Sequence, residues 1–92
     1  MREMTAEKAA TEIRQAYGTW KTQGGEGWMR TVEIFRRADL SLDEAAAGVR
    51  HLLRTEPTFT AAHDPARLEQ TEDDRACQIP LGRDTVGLVV WG

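Results

Sequence analysis

The sequence is poor in cysteine, in long apolar runs and in net charge. Cys77 is the single cysteine of 92 residues. No intrachain disulfide can form, and the chain suits a reducing compartment. The longest apolar run spans residues 86–91, far short of the roughly 20 residues that a transmembrane helix needs. Residues 1–5 lead into charged, amphipathic sequence and not into an apolar signal core, so the expected location is cytoplasmic, away from membranes. No internal repeat or low-complexity tract is present. The formal charge is −3, from 12 basic and 15 acidic side chains, which disfavours nonspecific attraction to nucleic acid. What is present is a 40% hydrophobic fraction, enough for one small core, and the length fits a single domain over 1–92.

The apolar residues mark out the elements. Ala6, Ala10, Ile13, Tyr17 and Trp20 recur at helical spacing and predict a first helix capped by Thr5. Gln23-Gly24-Gly25-Glu26-Gly27 then reads as a turn. It lacks the preceding strand and the Gly-Lys-Ser/Thr ending of a phosphate loop. Trp28-Met29-Arg30 predicts a short strand, and Thr31 a cap for a short helix ending near Ala38. Ser41 and Glu44 match a capping box, which opens a third helix that stops at Glu56 before Pro57. Phe59, Ala61 and His63 alternate with Thr58, Thr60 and Ala62 as in a strand. An acidic stretch follows over 64–74, with Thr71 and Asp74 as a weaker cap. Thr85 to Trp91 is β-branched and apolar and predicts a final strand.

The order helix, short strand, helix, helix, strand, long loop, strand resembles a winged-helix domain, a helix-turn-helix unit followed by an antiparallel wing. The resemblance is carried by Trp28–Arg30, Val32–Ala38, Leu42–Glu56, and the pairing of 58–63 with 85–91. Residues 71–76 and the closing strand are also similar to small winged-helix-like actinobacterial proteins of unassigned role. The fold class expected is α+β, a three-helix winged helix with a small antiparallel sheet. The expected core is Ala10, Ile13, Tyr17, Val32, Phe35, Leu42, Val49, Leu53, Phe59, Leu88 and Val90, with Trp28 and Trp91 also placed inside.

Catalytic constellations are weak. Ser41, His51 and Asp64 are the residue types of a nucleophilic triad, but Ser41 is already a cap and no nucleophile-elbow motif surrounds it. Cys77 reads as a small apolar residue and not as a thiolate. His51, His63 and Cys77 lack metal-ligand spacing, and Asp73-Asp74 reads as a solvated acidic patch. No enzyme activity, cofactor, metal or small-molecule substrate is expected.

The third helix carries the functional expectation. With Leu42, Ala46, Val49 and Leu53 inward, the outer line is Asp43, Ala47, Arg50 and Arg54, flanked by His51. In the DNA-reading form of this fold that face enters the major groove. Arg50 and Arg54 would then reach guanines or phosphates, and Arg36 and Arg37 would add backbone contacts. Against duplex DNA stand Asp43 and Glu44 on the same helix and the acids of the wing. Residues 1–40 carry a balance of +1 and residues 41–92 a balance of −4. The leading expectation is therefore a non-catalytic, regulatory or accessory module with a protein partner or a homodimer, and DNA-binding regulation is the alternative. Arg36, Arg37, Asp43, Ala47, Arg50, His51 and Arg54 are the candidate contact residues in either case. The apolar final strand is expected to be either central and covered or an edge that pairs with a second copy.

Overall fold

The computed structural model describes residues 3–63 and 71–92. The first helix, α1 (Ala6–Thr22), begins at its expected cap, where the Thr5 hydroxyl accepts from the Lys8 N–H at 3.1 Å. The chain then forms β1 (Met29–Arg30), α2 (Thr31–Arg37) and α3 (Leu42–Thr55). It continues through β2 (Phe59–Ala62), α4 (Glu72–Ala76), β3 (Ile79–Leu81), β4 (Asp84–Val86) and β5 (Leu88–Trp91).

The capping box of α3 is complete. The Glu44 N–H donates to Ser41 Oγ at 3.1 Å, and the Ser41 N–H donates to Glu44 Oε1 at 2.8 Å. Two helix-end donors are thereby satisfied at once. Ser41→Ala should cost about 1 kcal/mol, read as a lower urea midpoint at unchanged slope. Ser41→Asn should recover most of that loss.

Thr31 does not cap α2 as expected. It lies inside the helix and is buried; its hydroxyl donates to the Cys77 carbonyl at 2.7 Å. Its N–H donates to the Gly87 carbonyl at 3.0 Å. Both bonds cross to the C-terminal part of the chain, so Thr31 ties α2 to the sheet and to the α4 connection.

β1, β5 and β2 form an antiparallel sheet in that order. The pairing of the 58–63 region with the final strand is as expected, with Phe59 opposite Trp91 and Ala62 opposite Leu88. The final strand is central: β2 pairs along all of it, and β1 pairs with its first half, Leu88 and Val89. The expected single strand over 85–91 is two. Gly87 interrupts it, and β4 pairs instead with β3 in a hairpin that turns at Gly82, whose φ is +64°. The α4 helix adds a fourth to the expected three.

The architecture is α+β, consistent with a winged-helix-like fold. It departs from that pattern between β2 and β5. Among the described residues there, α4 packs on α2, and β3 packs on α3. Ile79 of β3 is wholly buried, and Val86 of β4 is buried in the same core.

The core is built from Ile13, Met29, Ile34, Val49, Ile79 and Val89, all fully buried, with Tyr17, Leu52 and Phe59 around them. Several expected core positions differ. Leu42 and Leu53 are exposed, while Phe35, Leu88 and Val90 are half-buried. The α3 face turned inward is Ala45, Ala46, Gly48, Val49 and Leu52. The reason is Gly48. A Cβ there would lie 3.0 Å from the Ala10 nitrogen and the Ala9 carbonyl carbon and 2.8 Å from Ile13 Cδ1. The α1 backbone therefore runs directly over Gly48, and this close crossing rotates α3 toward its small-residue side.

The aromatic residues form a chain from α1 to the sheet. Trp20 meets Tyr17 at 5.8 Å between centroids, Tyr17 meets Trp91 at 4.9 Å, and Trp91 meets Phe59 at 4.5 Å. Gly25 lies so close against the Trp20 indole that a Cβ there would overlap the ring. The glycine-rich turn thus covers Trp20. Trp28 is not in the core; it is 44% exposed.

Candidate functional site: the outer face of the third helix

The rotation of α3 decides which side chains reach solvent. Asp43, Arg50 and Arg54 are exposed and Ala47 is half-buried, all on one side of the helix as expected. Leu53 joins them with 47% of its surface exposed. Ala47, Arg50, Leu53 and Arg54 line an open groove of about 420 Å³ whose far wall is Ala6 at the start of α1. The groove has an apolar floor and two guanidinium groups at its rim.

His51 is on a different surface. It is half-buried and lines a smaller cleft of about 200 Å³ between α1 and α3, with Glu7, Thr11, Arg14, Thr55 and Glu56. Arg14 closes one end of that cleft through an ion pair with Glu56 at 2.8 Å. His51 and the Arg50–Arg54 pair therefore belong to adjacent clefts and not to one row of contact residues.

Arg36 and Arg37 are committed elsewhere. Arg36 Nη1 pairs with Glu33 Oε1 at 2.8 Å, and Arg37 pairs with the other Glu33 oxygen and with Gln23 Oε1. These bonds brace α2 and fasten it to the glycine-rich turn. The same holds for Arg30, whose Nη1 lies 3.1 Å from Asp74 Oδ2. Arg50 and Arg54 differ: neither side chain makes an ion pair or hydrogen bond with any described residue. Two like charges one turn apart are mildly repulsive, so this face holds uncompensated positive charge next to exposed leucine.

The acidic connection is different in kind from a solvated patch. Asp74 is buried. Its carboxylate accepts from the Thr71 N–H at 3.0 Å and from Arg30, while its own N–H donates to the Thr71 hydroxyl at 3.1 Å. The Thr71 backbone bond holds the Asp74 carboxyl below the usual aspartate range against the opposing effect of burial, and the Thr71 hydroxyl and Arg30 add to it. Glu72, Asp73 and Asp84 are exposed, against Arg75 and Arg83. Asp64 and Glu69 lie outside the described residues.

Cys77 is half-buried, and its thiol is pushed up from the usual range by burial and then by Asp73 and Asp74. It stays protonated at neutral pH, the unreactive form. Ser41 is occupied by its cap. Among the described residues, no cluster of three or more His, Cys, Asp or Glu side chains is placed to hold a metal ion. No helix there is long and apolar enough to cross a membrane.

Comparison with protein-family models, with curated proteins and with solved structures finds no match to this chain.

Sequence reasoning missed two members of the groove, Ala6 and Leu53. The signal for Leu53 was present. Leu52 and Leu53 are about 100° apart on a helix, so one core cannot take both fully. Ala45, Gly48 and Leu52 form a continuous line that favours Leu52 facing in. Ala6 carried no such signal, because its position depends on how α1 crosses α3.

Proposed function

We propose that the chain is a non-catalytic, winged-helix-type interaction module that engages a protein partner through the outer face of α3. The observation carrying this reading is the mixed surface at Ala47, Arg50, Leu53 and Arg54. Exposed leucine beside unpaired arginine is the composition of a protein contact, in which a desolvated apolar centre is flanked by charge. The folded-back α4 and β3–β4 segment supports it. A wing that embraces DNA would project basic groups, whereas this segment packs on α2 and α3 and exposes more carboxylates than arginines.

The unpaired Arg50–Arg54 pair on the third helix also suits a second reading, duplex recognition. One experiment separates the two. The wild-type chain and an Arg50→Ala/Arg54→Ala variant are used as bait in extract of the native host, with and without nuclease treatment, with Arg83→Ala as a surface control. The expected result is a protein companion that survives nuclease, is held by the control and is lost from the double variant. A nucleic-acid companion, or a protein held equally by the double variant, overturns the reading.

A further inference from the structure

The chemistry of the groove narrows the partner, on the reading that α3 is the docking face. We infer that the occupant is an amphipathic helix presenting an aliphatic side chain next to two carboxylates one turn apart, with a basic residue toward its other end. Arg50 and Arg54 are at i and i+4, which puts their Cβ atoms about 6 Å apart on one face. Neither has an intramolecular counterion among the described residues. Guanidinium forks take carboxylates in bidentate geometry, and two carboxylates at helical spacing match two arginines at helical spacing.

The floor selects the rest of the ligand. Ala47 is small, and Ala6 and Leu53 flank it. An aliphatic side chain from the partner can therefore sit over Ala47 against Leu53. A phosphodiester backbone would satisfy the arginines and leave this apolar floor unfilled. Asp43 gives the face its polarity. It is exposed at the start of α3, and by helix rise it lies about 10–16 Å along the axis from the two arginines. A partner laid along α3 places a lysine or arginine near Asp43 and its carboxylates at the Arg50–Arg54 end. Helix-in-groove docking read by side chains at helical spacing is an established mode of recognition.

The test uses the full chain and three labelled probes in fluorescence anisotropy. The first is an alanine-based helical peptide of about 20 residues with a central leucine, two glutamates at i and i+4 on one side of it and a lysine on the other. The second is the same peptide with its charges reversed. The third is a short random duplex DNA. The expected result is binding of the first probe, weakened at least tenfold by Arg50→Ala/Arg54→Ala and by Leu53→Asp, with no binding of the second. The Arg50→Glu/Arg54→Glu variant should exchange this preference and take the charge-reversed peptide. All the substituted positions are exposed, and circular dichroism confirms that each variant is folded.

Equal binding of the two peptides overturns the inference, as does no binding of either. Preferential binding of duplex DNA, lost in the alanine variant, overturns it in favour of nucleic acid. If the peptides fail while the host companion is still lost from Arg50→Ala/Arg54→Ala, the partner chemistry is wrong and the docking face stands. If no companion depends on those arginines, the functional reading itself fails.

Discussion

A Gly48→Val variant should lose about 3 kcal/mol of folding stability, from overpacking together with the lower helix propensity of a β-branched residue. For a domain of this size that is a fall of about 12–24 °C in melting temperature. The cause is the α1–α3 crossing. The atoms nearest to a Cβ at this position include backbone of Ala9 and Ala10, which cannot swing aside, and Ile13, which is already fully buried. A valine must therefore push the two helices apart across the most buried part of the core. Gly18 is the matching control. It lies in α1 and is exposed, and a Cβ added there would meet nothing within 4 Å. Gly18→Ala should stabilise by about 0.5–1 kcal/mol, since it lowers the entropy of the unfolded chain at no steric cost. Opposite shifts in the two variants, read by thermal melts, check the crossing. A Gly48→Val protein that melts with the wild type would show that the helices do not approach so closely.

Asp74→Ala should cost about 2 kcal/mol, because it removes the acceptor of the Thr71 N–H and a charged partner of Arg30. The loss is less than for a sealed ion pair because the Arg30 side chain is 38% exposed and water can replace part of it. The pH dependence gives a sharper check. The Asp74 carboxyl titrates lower in the folded chain than its ordinary value of 3.8, so folding favours the ionised form. That contribution is present above the ordinary value and is lost as pH falls through the folded one. The stability gap between wild type and Asp74→Asn should be constant from about pH 7 to 5 and should narrow as pH falls below about 4. Urea midpoints across that range measure it. A gap that persists unchanged at pH 3 would mean that the carboxylate charge is not what holds α4.

Local signals in the sequence fared well because they depend on neighbours in the chain. The caps at Thr5 and Ser41 and the stop before Pro57 are each decided within a few residues. The Thr71–Asp74 cap was also legible, and the structure makes it a full box. Signals that depend on distant partners did not survive so well. The third helix presents apolar residues over a broad arc, and only the path of α1 over Gly48 decides that Leu52 goes in and Leu53 stays out. Thr31 has the composition of a cap, yet the Cys77 carbonyl, far along the chain, claims its hydroxyl. Asp74 reads as one of several solvated acids until Arg30 is seen beside it.

The candidate site was partly legible for the same reason. The line Asp43, Ala47, Arg50, Arg54 follows from helix periodicity alone and is present on the surface. His51 leaves that line because α1 builds a separate cleft around it. Arg36 and Arg37 leave it because Glu33, three and four residues before them, takes both. That second loss was readable in the sequence from spacing.

The central place of β5 in its sheet sets an order on folding. Strands β1 and β2 are both made before β5, but neither pairs with the other; each pairs only with β5. The sheet, and with it the docking of Trp91 between Tyr17 and Phe59, can form only once residues 88–91 are in place. Until then the two outer strands have no strand partner and the sheet has no partial form, so its pairing is a single cooperative step that rests on four residues.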